Sequence, residues 1–149
     1  RVEELKNKEI DLWKIVGPVS LDWISTLVLG PNRPEGFDRI FADAFWTNSA
    51  KILEKEFKLI RQCYGEAKEK FQGGQNAEEV ISIIDAIACF SEDELSEDEV
   101  VANCDSILNA AFAAVNTLLM TILLLLGSDK NKSLLSAVSK RCRFLEKDN

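Results

Sequence analysis

The chain contains no histidine. That absence removes Ser–His and Cys–His nucleophile pairs, and every histidine-bearing metal site, in one step. Its four cysteines, Cys63, Cys89, Cys104 and Cys142, lie far apart with no Cys-x-x-Cys spacing. Neither a zinc site nor a disulfide framework is indicated, and no metal-ligating residue is assigned. Cys89 and Cys104 stand in apolar settings and read as small core residues, so a reducing intracellular compartment, cytoplasmic or at the cytosolic face of a membrane, is expected. No Lys or Arg occurs between Lys70 and Lys130. The net charge of −7 argues against nucleic acid as a partner. No stretch alternates with period two for long, so no strand is expected. The segment Arg1–Lys8 is polar and charged, unlike the opening of a signal peptide.

What is present is helical periodicity. Apolar spacing predicts six helices, at about 10–29, 37–46, 48–71, 77–90, 97–126 and 133–144, in one all-α domain spanning 1–149. The first carries its apolar residues at Leu12, Ile15, Val16, Val19, Trp23, Ile24, Leu27 and Val28, and Gly17-Pro18 is expected to kink or interrupt it. The second buries Phe37, Ile40, Phe41, Ala44 and Phe45. The third, with caps offered by Thr47-Asn48-Ser49, has the stripe Leu53, Phe57, Ile60, Tyr64, Ala67, Phe71, with Lys and Glu opposite. Asn76 is read as the cap of the fourth, buried through Val80, Ile81, Ile84 and Ile87.

The fifth helix organises the rest. Ser96-Glu97-Asp98-Glu99 is a capping box, its acids suited to the positive end of the helix dipole. From Val100 to Leu126 there is neither Gly nor Pro, and Gly127 falls where a left-handed C-cap is expected. Beyond Asp105 no charge appears until Asp129, so most of the circumference is expected to be buried. Ser106, Asn109, Ala113, Asn116, Thr117 and Thr121 form one narrow polar and small face; for Ser106 and Thr121 the plain expectation is a hydroxyl bonded to its own i−4 carbonyl. Residues 107–126 are apolar enough to raise a membrane span. Two Asn and two Thr within them, and the acidic cap, favour a soluble, buried rod.

Three stretches resemble the middle of a cytochrome P-450, the haem-thiolate monooxygenase family. Ile10-Asp11-Leu12-Trp13 with Ser20-Leu21-Asp22-Trp23-Ile24 and Val28-Leu29-Gly30 is similar to that family's helix E. Leu95-Ser96-Glu97-Asp98-Glu99 is similar to the start of its helix I. Phe112-Ala113-Ala114-Val115-Asn116-Thr117 is similar to the centre of helix I, usually Ala/Gly-Gly-x-Asp/Glu-Thr-Thr. The resemblance implies helices E to J and a haem-dependent oxidoreductase that oxygenates an apolar small molecule with a reductase or ferredoxin as redox partner, or a peroxide isomerase or lyase. It implies Ala113 and Ala114 as the haem-facing pair, Asn116 and Thr117 as the catalytic relay, and Phe112 and Met120 as substrate contacts, with Trp23, Leu53 and Ile84 as scaffold. Asn116 stands where the family has an acid, and an amide does not titrate near neutrality. The Phe-x-x-Gly-x-x-x-Cys loop that holds the iron and the Glu-x-x-Arg of helix K are absent, so catalytic competence of this chain alone is not expected. The alternative is a non-catalytic helical protein of that fold which binds a ligand or a partner.

Overall fold

The computed structural model describes residues 11–74, 77–90 and 95–145, with backbone alone at 129 and 142–145. The expected cap Asn76, the residue Ile10 and the Cys142 side chain lie outside the described residues. Six α-helices are present among them and no strand: α1 (Trp13–Leu29), α2 (Phe37–Thr47), α3 (Ala50–Gln72), α4 (Ile83–Phe90), α5 (Glu97–Gly127) and α6 (Lys132–Leu145). The all-α class expected from periodicity therefore holds. α5 lies most extensively against α1, and also against α3 and α6, while α3 contacts α2 and α4. One core joins Leu21, Ile24 and Val28 of α1, Phe37 and Phe41 of α2, Ile60 and Tyr64 of α3, Ile84 of α4, and Val100, Val101, Cys104, Leu108 and Phe112 of α5.

α1 is one helix from Trp13 to Leu29, so Gly17-Pro18 does not interrupt it. The usual obstacle to a helical residue before proline is a clash of its Cβ with the proline ring, and glycine has no Cβ. The buried face is Val16, Ser20, Leu21, Ile24, Ser25, Val28 and Leu29. Ile15, Val19, Trp23 and Leu27, apolar residues of the same helical spacing, form an exposed i, i+4 stripe. Gly30 ends the helix at φ 92°, where a side chain would be strained, and donates its N–H to the Thr26 carbonyl at 3.0 Å. Arg33 then clamps the following loop. Its Nε and Nη2 donate to the two Asp38 oxygens at 2.9 and 2.8 Å, Nη2 to Asp22 at 2.6 Å, and Nη1 to Thr26 at 3.0 Å. Hydrogen bonding to Asp38 holds this guanidinium above its ordinary value.

α2 buries Phe37, Phe41 and Ala44, with Ile40 and Phe45 half-buried. α3 keeps its predicted stripe at Ile60, Tyr64 and Ala67, but Glu56 and Cys63 are buried with it. The Tyr64 hydroxyl is buried with no hydrogen-bond partner among the described residues. Leaving such a group unpaired costs roughly 1–3 kcal/mol, so Tyr64→Phe is expected to raise the thermal midpoint by about 2–4 °C per kcal/mol recovered. A lowered midpoint on calorimetry would show that the hydroxyl has a partner.

The predicted fourth helix is two pieces, a 3-10 turn at Ala77–Glu79 and α4 from Ile83. Ser82 Oγ accepts from the Asp85 N–H at 3.2 Å, and an Asp85 oxygen accepts from the Ile81 N–H at 3.3 Å, so the helix starts there. Ile84 is buried while Ile81 is exposed. Cys104 is a core residue as expected; Cys89 is half-buried.

The capping box of α5 forms: Glu99 N–H donates to Ser96 Oγ at 3.3 Å and Ser96 N–H to Glu99 Oε2 at 2.8 Å. The Ser96 hydroxyl, donating to Glu99 Oε2 at 2.7 Å, and then the Ser96 N–H hold the Glu99 carboxyl below its ordinary range. Burial of α5 follows Val100, Val101, Cys104, Leu108, Phe112 and Asn116 and then stops. The expectation that most of its circumference is buried fails: one stripe is covered as far as Asn116 while Ala102, Ser106, Ala110 and Ala113 are exposed, and beyond it the helix outruns its partner. At 1.5 Å per residue its 31 residues run about 46 Å, whereas the 17 of α1 cover about 26 Å. Leu118, Ile122, Leu123, Leu124 and Leu125 therefore lie exposed. Gly127 is not a left-handed cap: it is the last helical residue, Ser128 caps at φ −67°, and Asn131 Nδ2 donates to the Leu125 carbonyl at 2.8 Å. That side-chain bond satisfies a carbonyl that a glycine turn was expected to serve.

Candidate functional site

Phe41 and Phe45 of α2 back Phe112, which forms the floor of the site. Phe41 and Phe45 meet Phe112 of α5 edge-on, with ring centroids 5.4 and 4.9 Å apart. Trp46 lies edge-on to Phe45 at 5.2 Å and to Trp13 of α1 at 5.4 Å. Such pairs add about 0.5–1.5 kcal/mol each beyond their buried area. Between these elements lies a cleft of about 470 Å³ lined by Trp13, Gly17, Pro18, Leu21, Ala42, Trp46 and Phe112, with Lys14, Asp38 and Arg39 at its rim. The volume falls inside the roughly 300–1,000 Å³ of small-molecule sites. Asp38 is bonded by both Arg33 and Ser25, the latter at 3.2 Å, so its charge is largely neutralised. The rim is thus dominated by the exposed cations Lys14 and Arg39; the Lys14–Asp11 pair, at 3.7 Å between exposed chains, is weak.

The residues singled out in α5 divide into two faces. Phe112 lines the cleft. Asn116 is fully buried against α1: its Nδ2 donates to the Phe112 carbonyl at 2.8 Å, and Ser20 Oγ lies 2.9 Å from its Oδ1. Ser20 has one hydroxyl proton and also stands 3.0 Å from the Val16 and Gly17 carbonyls; donation to Asn116 satisfies the acceptor that has no other donor. Ala113, Ala114 and Thr117 are exposed, and Thr117 Oγ1 donates to the Ala113 carbonyl at 2.8 Å. Ser106 and Thr121 bond their own i−4 carbonyls at 2.8 and 2.7 Å, as expected. Met120 is half-buried and is not among the residues lining the cleft. Asn116 and Thr117 thus point to opposite environments, one dry and one open to solvent.

A second cluster escaped the sequence reading. Glu56 of α3 is 1% exposed, and among the described residues neither of its carboxyl oxygens has a donor. Its polar neighbour is Asp105 of α5, which accepts from Asn109 Nδ2 at 2.8 Å. Burial, then the Asp105 charge, raises Glu56; burial raises Asp105 as well. Both shifts favour the protonated acid, whose one proton can serve a hydrogen bond between the two carboxyl groups.

Two of the three described cysteines are unsuited to hold haem of the kind carried by the resembled family. Its iron needs a thiolate. Cys63 and Cys104 are in the core, with burial pushing their thiols up to about 12 and about 11, so both stay protonated and inert. No family model, curated protein or solved structure matches the chain.

Proposed function

We propose that the protein binds an apolar small molecule bearing an anionic end, in the cleft between α1, α2 and α5. The observation that carries this reading is the cleft itself: an aromatic floor at Phe112, walls of Trp13 and Trp46, and a cationic rim of Lys14 and Arg39. An aliphatic or aromatic body replaces water against the rings, and a carboxylate or sulfonate meets the two cations at the mouth. Two of the three tryptophans stand at the cleft, so binding reports in their fluorescence.

Titration with laurate and with anilinonaphthalene sulfonate is expected to give saturable 1:1 changes. Ala42→Leu, which extends a lining side chain into the cleft, is expected to weaken both about tenfold or more. Arg39→Glu is expected to weaken both anionic probes while sparing a neutral alcohol of the same chain length. Probe binding that ignores Ala42→Leu would place the ligand elsewhere.

A second reading, the central segment of a cytochrome P-450-like oxidoreductase, is supported by the open strip of small residues at Ala113, Ala114 and Thr117. It needs a thiolate on the iron, which neither Cys63 nor Cys104 offers from the core. A haem titration tests it: with the Cys loop absent, this reading expects an unshifted free-haem spectrum from the chain alone, and a thiolate-type Soret band would show that a cysteine of this chain holds the iron.

A further inference from the structure

The apolar end of α5 and the basic helix after it belong together. Residues 117–127 carry no charge, and Leu118, Ile122, Leu123, Leu124 and Leu125 are exposed, Leu124 to 64%. α6 contacts α5 and adds the exposed Leu134, Leu135 and Val138. Eight large exposed apolar side chains gathered at one end of a globular domain mark an interaction surface. Charge says what covers it. Residues 1–128 hold twelve Lys and Arg against twenty-two Asp and Glu, whereas 129–149 hold six against three. The apolar patch is thus bordered by the basic part of an acidic protein, with Lys130, Lys132, Lys140 and Arg141 exposed beside it.

We infer that the end of α5 together with α6 docks this protein on an anionic bilayer surface, its leucines entering the headgroup–acyl boundary and its lysines meeting lipid phosphate and carboxylate. A second copy of the chain is the less suited occupant, because the same basic rim would face itself across a two-fold axis. Geometry sets the depth. Eleven residues reach about 16 Å, half of a hydrocarbon core of about 30 Å. The whole of α5 is long and apolar enough to span, but its first half is held by α1 and α3 in the core. The connecting turn, Ser128-Asp129-Lys130-Asn131, is polar, so the pair lies along the interface instead of piercing it. This surface is separate from the cleft at Phe112 and does not depend on the ligand-binding reading.

The test is vesicle flotation of the full chain with phosphatidylcholine alone and with phosphatidylcholine–phosphatidylserine mixtures. Binding to the anionic vesicles is expected to be about ten- to a hundredfold stronger and to collapse at high salt. Leu124→Glu with Leu125→Glu, at exposed positions, is expected to abolish it with unchanged helicity. Lys130→Glu with Lys140→Glu is expected to reduce it to the neutral-lipid level. The proposal is overturned by absent flotation, by equal binding to both vesicles, or by leucine variants that bind normally. It is also overturned by a dimer in solution that the leucine variants dissociate while vesicle binding is absent.

Discussion

Raising the pH from about 5 to about 8 is expected to destabilise the protein by on the order of 3 kcal/mol, and Glu56→Gln is expected to remove most of that loss. Glu56 is enclosed between α3 and α5, and the group it faces is the Asp105 carboxyl with its Asn109 partner. Burial raises it from an ordinary 4.5 to about 8. Below the ordinary value it is protonated in both folded and unfolded chains and contributes no slope. Between the two values the folded chain keeps a proton that the unfolded chain has released, so each added pH unit favours unfolding. Above the folded value the slope ends. Asp105, also raised by burial, acts in the same direction from the lower end of the window. In the Glu56→Gln variant an amide donates to Asp105 without a titrating proton. The variant is therefore expected to be the more stable protein at pH 8 and to show a flatter profile. Urea midpoints across the window check this; parallel wild-type and variant profiles would mean that water reaches the pair.

That carboxyl was nonetheless marked in the sequence. Glu56 lies four residues before Ile60, in register with a stripe that continues to Cys63, Tyr64 and Ala67, yet its charge assigns it to the solvent face with its neighbours Glu54 and Lys55. Periodicity says which residues share a face; it does not say that two acids on different helices meet and hold one proton. α3 and α2 were legible because each has one apolar side. α1 was not, because both of its sides are apolar. Only the docking of α5 decides that Ser20 and Ser25 go inside while Trp23 and Leu27 stay out. Gly17-Pro18 shows the same limit: local chemistry reads it as a breaker, while in the fold it forms a wall of the cleft. The start of α4 could have been found, since Ser82-x-x-Asp85 is a capping pattern. The end of burial in α5 could not, because it depends on the length of a partner helix, which the chemistry of α5 does not encode.

Asn116→Asp is expected to cost roughly 3–5 kcal/mol at neutral pH, the penalty for an uncompensated charge in a dry interface. The amide does two jobs there. Its Nδ2 supplies the Phe112 carbonyl, and its Oδ1 takes the Ser20 proton. An ionised carboxylate loses the first bond, repels the carbonyl it formerly satisfied, and has the lone Ser20 hydroxyl as donor. Stability should return as the pH falls and the carboxyl is protonated, a profile that rises toward acid. The matched control replaces both partners: Asn116→Leu with Ser20→Ala removes donor and acceptor together and is expected to be far milder than either single change. The position also weighs on the P-450-like reading, in which an acid here would complete the family's relay. A carboxylate that is tolerated and reaches solvent would favour the relay; one that unfolds the chain unless protonated makes residue 116 a strut between α1 and α5. Chemical denaturation of the single and double variants at pH 5 and pH 7, followed by circular dichroism, separates the two outcomes.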